Sequence, residues 1–340
     1  MATLKEIARA AGVSTTTVSN VINGNASRVS AETARRIQDI IDGLGYVPNQ
    51  AARSLAQRES RIIAVVIQAD EGENIFLNPY NAAFAGALTV KLYQNGYYPL
   101  IRFSDDFRTI DADIRGWNVA GLIYNGAYTR QLQYIKSLDA IPSVFVDCYF
   151  REEAVNHVGA EDEAGGRIAG EYLARLGHRR VAYMSNMLSD SVVEQRRLTG
   201  LRRSLGEAGL DIRDEWIFPT SDLDALAPRL RALLSGPNAP TAFFCAADQV
   251  AVRLMAHFKA LGYAVPRDIS VIGFDDLPIA AICAPGLTTI AQNVDQKAQL
   301  VVDMLLRHIQ NRDLPPESAR IGVRLVERES AAAPKTPMER

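Results

Sequence analysis

Six short apolar runs, at 62–67 (IIAVVI), 121–124 (GLIY), 143–146 (SVFV), 181–184 (VAYM), 242–245 (AFFC) and 269–273 (ISVIG), are separated by stretches of helical periodicity. That alternation predicts parallel sheets built from βαβ units, since parallel neighbours need a crossover of a dozen or more residues and a helix is the usual one. The segment GGRIAGEYLARLGHRR, 165–180, suits such a crossover: Ile168, Ala169, Tyr172, Leu173 and Leu176 share one face and Gly177 stops it. About 270 residues are enough for two α/β lobes of this kind.

Composition leaves that reading room. With 48% hydrophobic and 22% charged residues the chain is ordinarily globular. Its net charge of −2 is unevenly placed: residues 1–61 hold eight Lys or Arg against five Asp or Glu, and the remainder 29 against 34. Cys148, Cys245 and Cys283 have no CxxC spacing, so neither a disulfide framework nor a zinc site is expected, and they read as reduced, mostly buried thiols. No cofactor or metal is implied. Lys5, Glu6 and Arg9 interrupt the first residues and no apolar stretch is long enough to cross a membrane, which places the expected location in the cytoplasm.

Residues 1–60 follow a different, all-α pattern. Leu4, Ile7, Ala8 and Ala11 repeat at helical spacing and Gly12 ends the helix. Ser14 is placed to cap a second helix, on which Val18, Val21 and Ile22 point one way and Thr15, Thr16, Ser19 and Asn20 the other. A third starts near Ser30, apolar at Ala34, Ile37, Ile41 and Leu44. Helix, glycine turn, helix is a helix-turn-helix, and a face of small hydroxyls lets a helix approach the floor of a DNA major groove; the plainer alternative is a solvated helix face. In YVPNQAARSLAQRES, 46–60, Pro48 ends what precedes, Asn49 can cap a short helix over 50–56, and Ala51, Ala52 and Leu55 lie on one side of it. A helix of under two turns needs a partner to form. Two such helices from two subunits could pack through their alanines and wedge paired leucines into the minor groove; the alternative is a plain linker.

The stretch TLKEIARAAGVSTTTVSNVINGNASRVSAETARRIQDIIDGLGYVPNQAARSL resembles the DNA-binding headpiece and hinge of the LacI/GalR family of transcription regulators. By position the resemblance implies that Thr15, Thr16 and Asn20 read bases, that Ser14, Thr17, Ser19, Asn23, Tyr46 and Asn49 hold phosphates, and that Leu55, with Ala52 beside it, belongs to the intercalating hinge helix. The phrases LGHRRVAY, DISVIGFDD, LTTIAQ and RLVERES resemble the effector-binding body of the same family, whose fold is similar to that of periplasmic sugar-binding proteins. The implied organisation is a headpiece at 1–48, a hinge helix and linker at 49–60, a type I periplasmic-binding-protein-like body at 61–330 and a flexible tail at 331–340. One lobe is expected at about 62–160 plus 290–322, the other at about 161–289 plus 323–330.

Ligands of open parallel sheets bind beyond the carboxyl ends of the strands. Asp147 follows SVFV, Asp275 follows ISVIGF, and Arg197 lies at the start of the helix containing RRLTGL; by family position all three match effector contacts, with Tyr80 as an aromatic partner. Asp147 and Asp275 could equally be turn or cap residues, Arg197 a structural ion pair and Tyr80 a core residue. Carboxylates with an Arg donor suit a sugar or polyol. Three departures from the family pattern, Ala247 before Asp248, Glu161 with Asp162 before the double glycine, and Asp222 where a stacking aromatic is expected, leave an amino sugar or a cationic ligand open. The expected protein is a homodimeric repressor of a palindromic operator under a small effector, acting as inducer or corepressor, with no membrane partner. A free sugar-binding protein is the distant alternative. Enzymatic activity is not expected, because HExxH, GxSxG and P-loop patterns are missing and His157, His178, His257 and His308 are scattered.

Overall fold

The computed structural model describes residues 2–22, 28–46, 60–69, 74–104, 110, 114, 116–126, 141–148, 155–186, 191–219 and 222–335. The chain divides into two compact units, residues 1–60 and 61–340. The hinge expected at 49–60 lies outside the described residues except for Ser60.

The first unit holds helices α1 (Leu4–Ala11), α2 (Thr15–Ile22) and α3 (Ala31–Gly43). Helix α1 opens with a reciprocal cap in which the Thr3 backbone N–H donates to Glu6 and the Glu6 N–H donates to the Thr3 hydroxyl. Gly12 closes it in the left-handed region at φ 64°, where a Cβ is costly. The Ser14 and Ser30 hydroxyls accept from Thr17 and Thr33 at the starts of α2 and α3. Ile7, Ala8, Ala11, Val18, Ile37 and Ile41 form the buried core. Three expected core positions stand outside it: Ala34 is half-buried, and Leu4 and Leu44 are exposed, Leu4 in the first turn and Leu44 at the helix cap, where the apolar stripe has rotated off the core.

Among the described residues, the second unit contains two six-stranded sheets. One runs in the order β11 (Ser318–Ile321), β5 (His157–Ala160), β4 (Ser143–Val146), β3 (Gly121–Asn125), β1 (Ile62–Gln68), β2 (Tyr98–Ser104). The other runs β12 (Val323–Val326), β10 (Thr288–Gln292), β9 (Ser270–Asp275), β8 (Ala242–Cys245), β6 (Val181–Met184), β7 (Ile217–Phe218). All pairings are parallel except β10 with β12. Both sheets have apolar clusters on both faces, so their central strands are buried end to end and read as continuous apolar runs. The described helices of this unit are α4 (Pro79–Gln94), α5 (Asp162–Arg175), α6 (Val192–Glu207), α7 (Leu223–Ser235), α8 (Asp248–Ala260), α9 (Pro278–Ile282) and α10 (Val294–Gln310).

The chain passes between sheets three times, after β5, after β10 and between β11 and β12. The second passage was expected near 290; it lies after Gln292, because 288–292 is one continuous strand paired with β9. Residues 331–335 also differ from the flexible tail expected over 331–340; the rest of that tail lies outside the described residues. The Ser270 hydroxyl accepts from the Ala332 N–H, the Ala332 carbonyl accepts from Ser270 and contacts His178, and Lys335 pairs with Asp268. Backbone acceptors and donors left open at the start of β9 make this docking worthwhile.

Helices α5 and α6 approach through glycine. A Cβ on Gly166 would collide with the carbonyl of Arg197, one on Gly200 with that of Glu163, and one on Gly170 with the Ser204 hydroxyl. The buried face of α5 is therefore Gly165, Gly166, Ala169, Gly170, Tyr172 and Leu173, while the expected Ile168 and Leu176 are half-buried. This contact fixes where Arg197 lies.

Candidate functional site

On the first unit, Ser14, Thr15 and Thr16 are exposed on α2, and Thr17, Ser19 and Asn20 are half-buried. Val18 points into the core. Ser14 and Thr17 bond each other at 2.9 Å, so the hydroxyls that start the helix are held in place while Thr15 and Thr16 stand free at its N-terminal turn. A helix N-terminus with exposed hydroxyls offers donors to phosphates and base edges. Tyr46 packs partly against the core. Asn23, Asn49, Ala52 and Leu55 lie outside the described residues.

In the two-lobed unit, Tyr80, Asp147, Arg197 and Asp275 gather at the carboxyl ends of β4 and β9 and on the facing turns of α4 and α6. Asp147 and Asp275 both have positive φ, 56° and 117°, so each strand ends on a turn that carries a carboxylate. The Tyr80 hydroxyl donates to Asp147 at 2.9 Å. Lys297, in the first turn of α10, donates to both Asp147 oxygens at 2.9 and 3.0 Å and to the Tyr80 hydroxyl at 2.8 Å. Burial pushes the Asp147 carboxyl up, but the Lys297 charge and hydrogen bonds outweigh it and hold it below the usual carboxylate range. Burial and the neighbouring Asp147 and Asp275 push the Tyr80 phenol well above its ordinary value.

The second lobe contributes a second ion pair. Arg197, in the second turn of α6, donates from Nε to Asp162 at 2.8 Å and from Nη1 to the Ala246 carbonyl. Its guanidinium lies 3.5 Å over the Phe274 ring. Burial disfavours its charge, but the Asp162 carboxylate more than compensates and raises its pKa further. Asp275 accepts from Gln292 Nε2 at 2.6 Å; burial lifts its carboxyl to about 6 against the opposing pull of Arg197, Gln292 and Lys297. Asp248, fully buried, accepts from the Leu277 N–H and the Thr289 hydroxyl, and burial together with Asp275 lifts it to about 8. Asp276 turns away to Arg328, which separates it from Asp275 as adjacent residues on a strand end must. Asp222 caps α7 by accepting from the Ala225 N–H and stands exposed.

Beside the charges, an open cavity of about 580 Å³ is lined by Ala83 from one lobe, Asp275 and Leu277 from the other, and the passages at Gln292 and Gly322. Gln292 is 6% exposed and its Oε1 is without a hydrogen-bond partner. The site therefore consists of two internal salt bridges, two carboxylates with raised pKa values and one unpartnered amide oxygen. Lys297 and Gln292 were not foreseen from the sequence: Lys297 shares the helical face of Ala298, Val301 and Leu305, and only its charge on an apolar stripe signalled a buried partner.

A helix-turn-helix unit joined to a two-lobed body with charged residues at facing strand ends defines a ligand-responsive DNA-binding regulator. Residues 3–49 match the model of bacterial regulatory proteins of the lacI family, and 171–331 that of a periplasmic binding protein-like domain. The ribose operon repressor of Haemophilus influenzae is 31% identical over 92% of this chain and 93% of its own. The transcriptional repressor PurR of Serratia proteamaculans is 33% identical over 98% of this chain and 97% of its own. Among solved structures, the lac repressor dimer bound to operator and the anti-inducer ONPF superposes with a TM-score of 0.86 at 27% identity, covering 98% of this chain and 99% of that one. A CelR–cellobiose complex superposes at 0.73 with 26% identity, covering 97% and 100%. The chain belongs to the LacI family of transcriptional regulators. No helix among the described residues is long and apolar enough to cross a membrane.

Proposed function

We propose that this regulator represses transcription as a homodimer on a palindromic operator, with Ser14, Thr15, Thr16, Thr17, Ser19, Asn20 and Tyr46 at the DNA and Tyr80, Asp147, Arg197 and Asp275 at a sugar or polyol effector. The single observation that carries the effector half is the gathering of those four side chains, distant in sequence, at the strand ends of two lobes. Neighbours in structure hold cellobiose and ONPG, which supports a hydroxyl-rich ligand. Two copies of one small headpiece favour a two-fold operator, since one copy makes few contacts. Asn23, Asn49, Ala52 and Leu55 take the remaining family roles in this reading. Effector in the cleft biases the angle between the lobes and thereby operator affinity, by about 1–3 kcal/mol. The protein has no catalytic role in this reading and works in the cytoplasm.

Selection of duplexes from a randomised pool by the purified full-length protein tests the first half: an enriched inverted repeat is expected, and enrichment of a single asymmetric site rejects it. Thermal-shift screening with sugars and polyols tests the second, because a ligand at a hundred times its Kd adds about 2.7 kcal/mol. Stabilisation only by nucleobases or cations rejects the sugar assignment.

A further inference from the structure

Lys297 is fully buried, and a buried ammonium is expensive unless every donor is used. Here all of them are. Nζ reaches Asp147 Oδ1, Asp147 Oδ2 and the Tyr80 hydroxyl, and Tyr80 in turn donates to Asp147 Oδ2, which closes a ring of three groups. Lysine has three N–H groups and no acceptor, so nothing on Nζ is left to meet a ligand. On the facing lobe the charge of Arg197 is answered by Asp162, and three of its five N–H groups are used on Asp162 and the Ala246 carbonyl. Both cations near the site are thus matched by a carboxylate within the protein. What the walls still offer are chiefly acceptors, the remaining lone pairs of Asp147 and the Asp275 carboxylate, while the unpartnered Gln292 Oε1 is buried.

We propose that Lys297 is the residue that sets effector class: by cancelling the Asp147 carboxylate and fixing Tyr80 it leaves Asp275 as the unmatched carboxylate of a cleft rich in acceptors, which takes a neutral ligand with several hydroxyl donors and disfavours its amino, phosphorylated and carboxylated counterparts. This rests on the effector reading above and narrows it. An anionic ligand meets Asp275 and finds both cations occupied. A cationic ligand loses the attraction of Asp147, whose charge is already answered at 2.9 Å. Lys297 is a positioning residue in this account, acting through Asp147 and Tyr80.

The test uses the full-length protein, wild type and Lys297→Met, titrated calorimetrically with neutral hexoses, pentoses and polyols and with the amino, phosphate and acid form of each skeleton that binds. In the wild type the neutral form is expected to bind at least ten times more tightly than its charged counterparts. In Lys297→Met the neutral form should weaken about tenfold and the amino form should gain, reversing the order, because the freed Asp147 carboxylate now seeks a cation; Lys297→Arg should restore the wild-type order. A wild-type preference for a charged form, or an order unchanged in Lys297→Met, overturns the proposal. If no sugar or polyol binds either protein, the effector reading and this class assignment fall together. The ring is then read without ligand, from melting curves between pH 5 and 8. Asp147 is faced by Lys297 from α10, Tyr80 from α4, Arg197 from α6, Asp275 at the end of β9 and His157 on β5. Removing Lys297 should destabilise most at pH 8 and progressively less toward pH 5, as Asp147 takes up a proton; a loss independent of pH overturns charge compensation itself.

Discussion

Thr15 and Thr16 stand in water on a short helix, while Arg197 and Lys297 are sealed inside the body with their charges answered by Asp162 and Asp147. The first surface is made of groups that the fold does not need, and the second of groups that the fold cannot leave unpaired. On the proposed function, a DNA-reading face built this way can change sequence preference without touching stability. On the same proposal, a cleft built from buried ion pairs ties ligand recognition to folding, so its alterations must be compensated in pairs.

Breaking the body at its tightest point should have the largest effect. Gly200→Ala drives a methyl into the Glu163 carbonyl, and a loss above about 3 kcal/mol is expected, read as a lowered calorimetric Tm of the body. A wild-type Tm would mean that α5 and α6 can separate freely. Arg197→Ala strands Asp162 in the interior; about 3–5 kcal/mol of stability and the effector response should both go. Retention of either would uncouple recognition from folding in the cleft. In the small unit, Ile37→Ala removes one of six buried core side chains, with an expected cost of about 2–4 kcal/mol confined to operator binding and the headpiece signals in NMR.

Acidity separates the two regions further. Asp248 has its pKa raised in the folded state, so its stabilising share is complete below the unfolded value near 4 and is lost as pH rises through about 8. His157 is pushed down to about 4 by burial, and its share is lost as pH falls below about 6.5. Between pH 6.5 and 8 only the aspartate slope remains, so the body should lose about 1–3 kcal/mol with rising pH, and Asp248→Asn should flatten that slope in denaturant titrations. Smallest on this scale is Thr16→Ala: stability within about 0.5 kcal/mol, with operator affinity reduced by about 1–3 kcal/mol in an anisotropy titration. A stability loss larger than the binding loss would contradict the comparison.

The regions also differ in how much of them the sequence disclosed. The cap at Ser14, the glycine stop at Gly12 and the apolar stripe through Ile37 and Ile41 are local signals, and the headpiece follows from them apart from its exposed ends at Leu4 and Leu44. In the body, six of the eight inner strands were legible because burial on both faces makes them continuously apolar, whereas β5 (HVGA) and β10 (TTIAQ) carry too few apolar residues to stand out. The outer strands β2, β7, β11 and β12 were not, since YPLIRFS, IF, SARI and VRLV mix charge, proline or minimal length with few apolar residues. The cleft was half visible. Asp147 and Asp275 declare themselves by following apolar strands, but the partners that decide their charge are 150 and 17 residues away: Lys297 shows only as a charge on an apolar stripe, which does not name its partner, and Gln292 has no local signature. The glycine contact that seats Arg197 was equally hidden, because a doublet such as Gly165 and Gly166 gives no hint of which helix comes close.

The three passages between sheets have a consequence for the order of events at the ribosome. The first sheet is incomplete until β11 has been made and the second until β12 and the Ala332 clasp follow it, so neither lobe is a finished stretch of nascent chain before nearly all of the protein exists. The core of the first unit, from Ile7 to Ile41, is made within its own described residues and has no such wait. At about 5–20 residues per second, the headpiece emerges roughly 15–50 s before the body that is to govern it can close.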